Sequence, residues 1–238
     1  MRLALALLFA WLALPAAAVT CENVTYQGKS YSTCTVDPAT EQLRLFLKDG
    51  DSILGSFSAI EGLPGVTALP FAMNAGMYHA DRAPVGHYVE NGVEVMRVIP
   101  NAGPGNFGLL PNGVFCITDD SARVIETLRY VEEAPVCRDA TQSGPMLVID
   151  GELHPRFLPD GTSRFLRNGV GTTEAGDRAV FVISNDAVSF HEFGSFFRDY
   201  LQLSNALYFD GKVSRLHAPA LGRSDFGVQM GPIVGVVE

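Results

Sequence analysis

Short apolar runs, each closed by a turn signal, recur along this chain and restrict it to a fold rich in strands. The runs cover residues 24–26, 31–36, 43–47, 53–57, 71–73, 86–89, 93–98, 114–118, 146–149, 179–184, 206–209 and 233–237. Asn91-Gly92, Asp150-Gly151 and Ala175-Gly-Asp177 are turn sequences of the kind that joins neighbouring strands. One helical pattern interrupts the series. Over residues 189–203, Phe193, Phe196, Phe197 and Leu201 fall on one face, with Glu192, Ser195 and Asp199 opposite. Residues 122–133 fit a second helix or a strand. The expected class is α+β, a single domain built on a β-dominated mixed sheet with a few helices.

Residues 1–18 carry one cation, Arg2, then an apolar stretch too short to span a bilayer comfortably, and end in Ala16-Ala17-Ala18. That pattern predicts a cleavable export signal, leaving residues 19–238 as one mature domain. No later apolar stretch is long enough to cross a membrane, so the chain is expected to be periplasmic or secreted. The cysteines agree. Cys21, Cys34, Cys116 and Cys137 form an even set without Cys-x-x-Cys spacing, which favours disulfides over a zinc site. A two-residue turn at Gln27-Gly28 sets Cys21 opposite Cys34 in a non-hydrogen-bonded pair, where Cα atoms approach within disulfide range. Cys116 and Cys137 pair by elimination.

The net charge of −9 argues against nucleic acid as a partner, because that binding relies on basic surface. Any bound anion must be held by local arginines and backbone amides. Pro and Gly are scattered, and neither a linker nor a repeat divides the chain.

Four segments carry candidate chemistry. The run Ala206-Leu-Tyr-Phe209 delivers Asp210, Gly211, Lys212, Ser214 and Arg215 at its carboxyl end, a favoured place for a ligand site. Upstream, Phe71-Ala-Met-Asn74-Ala75-Gly76 brings an amide to a strand end, and Gln142-Ser143-Gly144-Pro145 offers a hydroxyl and an N–H to an anion. Arg164 and Arg167 flank Phe165-Leu166, and in a strand they point to opposite faces, so one of them serves a site. Arg167, beside Asn168-Gly-Val-Gly171, is the candidate, since a guanidinium fork suits phosphate. Each segment also reads as an ordinary turn. Ser143 lacks the Gly-x-Ser-x-Gly elbow of a serine hydrolase. His79 and His87 lack an evident third ligand, so the metal is unknown: a divalent ion is not assignable, and no cofactor is expected. Tyr78, Phe165, Tyr208 and Phe209 are candidates to stack on sugar, although residues placed like Tyr208 and Phe209 are more often core.

In sequence order, Asn74-Ala75-Gly76-Met77, Ser143-Gly144-Pro145-Met-Leu147, Arg167-Asn168-Gly169-Val-Gly171 and Asp210-Gly211-Lys212-Val213-Ser214 resemble the phosphodiester glycosidase family. The resemblance covers about residues 71–236. It departs at Ala75, Asn168-Gly169 and Lys212-Val213, the last standing where the family carries two glycines. The resemblance implies an exported hydrolase that cleaves the anomeric bond of a sugar-1-phosphodiester or related glycan. It implies Asp210 and Arg167 as catalytic, with Asn74, Gly76, Ser143, Gly144, Asn168, Gly211 and Ser214 binding substrate. The alternative is a non-catalytic exported glycan-binding or exopolysaccharide-assembly protein using the same cleft. The oligomeric state is not legible in the sequence.

Overall fold

The computed structural model describes residues 19–238; the expected export signal lies outside them. The domain is β-dominated α+β. The single mixed sheet expected from the sequence is instead three main sheets, of seven, five and five strands, with every named pairing antiparallel. Many sequential strands are joined by short hairpins, which link only antiparallel neighbours, whereas parallel neighbours need long crossovers. The hairpin of Thr20–Tyr26 and Lys29–Val36 opens the seven-stranded sheet in a register that pairs Cys21 with Cys34. These two are bonded with Cα atoms 4.1 Å apart, and Cys116 is bonded to Cys137 across 5.5 Å.

The main core lies where the three sheets meet. Phe71, Phe115, Phe181 and Phe209 pack there, with ring centroids 4.6 Å apart for Phe71–Phe181 and 5.7 Å for Phe115–Phe181. A second apolar layer lies between the seven-stranded sheet and the helix Phe190–Ser195, which continues as a π-helical turn over Phe196–Tyr200. Ser189 caps this helix, and the Glu192 carboxylate closes the capping box. Phe193, Phe196 and Phe197 face the sheet as their spacing predicts, but Ser195, expected outside, is buried.

The strand Asn205–Asp210 separates the two layers. Leu207 and Phe209 enter the three-sheet core, while Ala206 and Tyr208 face the helix. Alternation on a strand buried on both faces explains why its sequence is a continuous apolar run.

Three further expectations are corrected. Residues 122–133 are both forms in turn, a strand Ala122–Glu126 and then a helix Thr127–Glu133. Residues 53–57 are not one strand: Ser56 caps a short helix Phe57–Glu61 by accepting from the Ala59 N–H. Asn168-Gly-Val-Gly, read as a turn, is the central strand Asn168–Thr172. Its glycines serve close approach. A Cβ on Gly171 would lie 2.6 Å from Phe197 Cδ1, so glycine lets the helix settle on the sheet.

The first disulfide closes a segment of 13 residues. Replacing Cys21 and Cys34 together by Ser is expected to cost about 3 kcal/mol through the freed unfolded chain. Calorimetry under non-reducing conditions reads this as a lower melting temperature. An unchanged value would mean that the ladder alone holds the hairpin.

Candidate functional site

The carboxyl end of the strand Asn205–Asp210 is where the segments separated in sequence converge. Asn168 is fully buried, and its Oδ1 accepts from the Asp210 backbone N–H at 3.2 Å and from Asn74 Nδ2 at 3.3 Å. Its Nδ2 donates to the Asn74 carbonyl at 3.0 Å. Asn74 Oδ1 accepts from the Arg215 backbone N–H at 2.9 Å. The Ser214 hydroxyl donates to the Asp210 carbonyl at 3.1 Å and lies 3.5 Å from Asn168 Oδ1. Ser143, also fully buried, donates to the Phe209 carbonyl at 2.8 Å. Asn74, Asn168, Ser143 and Ser214 therefore bind the backbone that carries Asp210. Their hydrogen-bonding groups are spent on the protein, because a buried amide or hydroxyl without a partner costs free energy.

Asp210 heads the turn. Its Oδ1 accepts the Lys212 backbone N–H at 2.9 Å. Burial raises its pKa above the usual carboxylate value, opposed by the amides of Lys212, Gly211 and Val213 and by the Lys212 charge. Val213 packs beside an apolar cluster that includes Phe57, Ile60 and Met230, which anchors the far side of the turn.

Gly211 does not adopt positive φ; it is glycine for space. A Cβ there would lie 1.9 Å from the Tyr208 hydroxyl oxygen and 3.2 Å from Cζ. Gly211→Ala is therefore expected to displace the turn and lower activity at least about tenfold, since small misplacements near a reacting centre are costly. Tyr208→Phe in the same chain removes the clashing atom and is expected to restore most of the loss. Equal activity of the single and double variants would disprove that contact.

Tyr208 forms the floor beneath, with Arg167 buried behind it. Arg167 is 1% exposed. Its Nε donates to the Val188 carbonyl at 2.9 Å and its Nη2 to that of Ser163 at 3.0 Å, while Cζ stands 3.6 Å from the Phe190 ring centroid. No carboxylate pairs with it among the described residues. Its Nη1 and the Tyr208 hydroxyl are both buried without a well-aligned partner, yet each is close enough to bias the other's charge. Burial holds the guanidinium below its ordinary pKa and lifts the Tyr208 phenol to about 12 despite Arg167. The phenol is neutral at physiological pH and available as a donor. Arg164 lies outside, paired with Glu192 at 2.6 Å.

Above this floor opens a cleft of about 520 Å³, lined among others by Tyr78, Asn106, Phe107, Phe165, Asp210 and Lys212. Of the residues expected to contact substrate, Asp210 and Gly211 line it. Asn74, Asn168, Ser143 and Ser214 support the turn, and Arg167 lies behind Phe165 and Tyr208. Gly76, at φ 145°, and Gly144 are closely packed, a Cβ meeting Thr141 Oγ1 at 2.9 Å and Asn112 Cβ at 2.6 Å respectively. The sequence reading missed Asn106 and Phe107. Their signal was a Gly- and Pro-rich connection between Met96 and Gly113, long enough to suggest function. Tyr208, placed in the core, also belongs to the cleft.

The match to known families decides what kind of chain this is. Residues 67–217, which hold all four motifs, match the model of the family described as phosphodiester glycosidase. The chain belongs to the phosphodiester glycosidase family. An Escherichia coli (strain K12) relative, "Uncharacterized protein YigE", is 32% identical over 185 residues, spanning 77% of this chain and 72% of that protein. Among solved structures, zebrafish N-acetylglucosamine-1-phosphodiester alpha-N-acetylglucosaminidase, its catalytic domain auto-inhibited by the pro-peptide, superposes with a TM-score of 0.59. It shares 13% identity, over 93% of this chain and 82% of its own. A Burkholderia pseudomallei K96243 protein described as exported superposes equally, with a TM-score of 0.59 at 12% identity, over 88% of this chain and 74% of its own. At such identities these neighbours speak for the fold alone. Among the described residues, no cluster of three or more His, Cys, Asp or Glu could hold a metal ion. His87 instead bridges the Met96 carbonyl and the Tyr130 hydroxyl. No described helix is long and apolar enough to cross a membrane.

Proposed function

We propose that this cleft hydrolyses the anomeric bond of a sugar-1-phosphodiester, with Asp210 and Arg167 as its catalytic pair. The observation that carries this reading is Arg167, a buried guanidinium that faces no carboxylate among the described residues and keeps Nη1 without a well-aligned partner. A buried cation is costly unless something neutralises it, and an anionic phosphoryl oxygen is the complement its planar fork suits. The family match and the zebrafish neighbour's substrate point to the same chemistry.

Cleavage passes through an oxocarbenium-like transition state, with charge growing on the departing phosphate. A phosphate monoester, with a second pKa near ~6, leaves with little help from a general acid. That agrees with the cleft, whose lining includes one carboxylate, Asp210, among the described residues. Asp210 would assist attack at C1 as base or nucleophile, or stabilise the oxocarbenium charge, while Arg167 meets the charge on the phosphate. Asn74, Asn168 and Ser214 hold the Asp210 turn in place, and Tyr78 and Phe165 offer faces for a sugar or its aglycone. Residues 1–18, as an export signal, and the two disulfides fit a mature domain of residues 19–238 that works outside the cytoplasm.

The test incubates the folded, disulfide-bonded protein with a panel of sugar-1-phosphodiesters and follows release of free sugar. Turnover of one of them supports the reading. Glycan binding without turnover of any would replace it by a glycan-binding protein of the same fold.

A further inference from the structure

We infer that Lys212 makes this cleft selective for sugars linked through a diphosphate over sugars linked through a single phosphodiester. The inference rests on the function proposed above and names its substrate class. Lys212 is exposed, lines the cleft and directly follows the Asp210-Gly211 pair. The fold presents it there by construction. Val213 is held beside the apolar cluster of Phe57, Ile60 and Met230, and the Lys212 backbone N–H is fastened to Asp210 Oδ1 at 2.9 Å. With both neighbours anchored, the intervening side chain is left to the cleft. Lys212 and Val213 both avoid positive φ, so neither strains the turn.

Among the described residues lining the cleft, the Lys212 ammonium is the one cation; its charge acts on Asp210 from a distance, and it makes none of the close ion pairs. The chain as a whole is acidic, at −9. An unpaired cation at the mouth of a cleft in an acidic protein is local complementarity to an anion, since the overall field works against one. Arg167, buried behind the floor, is the anion partner in the function proposed above. A monoanionic phosphodiester presents one charge for these two cations. A diphosphate presents two, and its outer phosphoryl would project from the floor toward the exposed turn. Aromatic lining at Tyr78, Phe107 and Phe165 then accommodates the group beyond the diphosphate.

The reaction balances without a further reagent. The C1–O bond breaks with its electron pair going to the inner phosphoryl oxygen, and water oxygen bonds to C1. One water proton is lost through Asp210, and the products are the free sugar and the diphosphate of the aglycone.

The test separates recognition from turnover. Calorimetric titration with UDP and with UMP measures the binding ratio in the wild type, Lys212→Met and Lys212→Arg. In the wild type UDP is expected to bind at least about tenfold more tightly than UMP, the value of one charge-assisted contact. Lys212→Met should bring the ratio near one, and Lys212→Arg should retain it. In parallel, kcat/KM is compared for a UDP-sugar, a prenyl-diphosphate-linked sugar and a methyl sugar-1-phosphodiester. Lys212→Met should lower the diphosphate substrates about tenfold more than it lowers the diester. A preference for the nucleotide or the prenyl compound identifies the source of the diphosphate. A UDP/UMP ratio unchanged by Lys212→Met would overturn the inference. So would an equal loss on all substrates with a shifted pH profile, which would mean that Lys212 merely tunes Asp210. An intact, Lys212-dependent ratio without any turnover would sink the hydrolase reading and uphold the diphosphate site.

Discussion

Asp210→Asn is expected to lower turnover of a sugar-1-phosphodiester by about 10²–10⁴-fold, the range lost when a positioned acid–base group is removed. The change is nearly isosteric. The Asn oxygen can still accept the Lys212 N–H, and the backbone bond from Asp210 N–H to Asn168 remains. The turn should therefore survive, and substrate binding should be retained. The pH dependence gives a second reading. Burial raises the folded pKa of Asp210 above its ordinary value, so the carboxylate that catalysis needs forms at higher pH than in an unburied aspartate. The acid limb of kcat should lie correspondingly high. Stability runs the other way: a carboxyl whose folded pKa is raised contributes most below its unfolded pKa, and that contribution is lost as pH rises through the folded value. The Asn variant lacks this titration, so its melting temperature should fall less over the same interval. Undiminished turnover in Asp210→Asn would remove Asp210 from the mechanism.

Arg167→Met should separate activity from stability. Removing a donor aimed at developing charge costs about 10²–10³-fold in kcat. Deleting a buried residue usually destabilises, but two facts oppose that here. The Val188 carbonyl also accepts from the Phe165 N–H at 3.2 Å, and Ser163 is exposed, so neither acceptor is left stranded away from water. The Arg167 charge lacks a carboxylate among the described residues, and exchanging a buried charge for an apolar side chain of similar volume is often neutral or stabilising by about 1–4 kcal/mol. Calorimetry should show an unchanged or raised melting temperature in Arg167→Met. Phosphate should raise that of the wild type, by about 2.7 kcal/mol of stability at a hundredfold excess over Kd, and leave the variant unmoved. A variant that loses more than about 3 kcal/mol and still responds to phosphate would make Arg167 a structural residue.

Much of this was legible in the chain because it depends on local chemistry. The Cys21–Cys34 bond follows from a two-residue turn and strand periodicity alone, and the register bears that geometry. The apolar run at residues 206–209 reads as a buried strand because burial on both faces demands it. The helix after Ser189 announces itself by its phenylalanine spacing. Residues whose local preference and tertiary role disagree were misread. Asn168-Gly-Val-Gly has turn composition, yet it is a central strand, because the backbones of Leu207 and Tyr208 and the ring of Phe197 approach too closely for side chains. Ser143 and Asn168 look like ligand groups in sequence, and the packing spends them on the turn that carries Asp210.

By itself the sequence determined the strand-rich class, the disulfide framework, the family and the short list of residues around Asp210 and Arg167. All of these rest on periodicity, spacing or motif, which act over a few residues. Only the tertiary structure decided which of those residues face the cleft and which hold it up. It also brought in Asn106 and Phe107, and left Arg167 buried without an anion beside it. The physical reason is that exposure and pairing are properties of contacts between distant segments, as between Asn74 and Asn168, 94 positions apart, and no local pattern encodes which of them will meet.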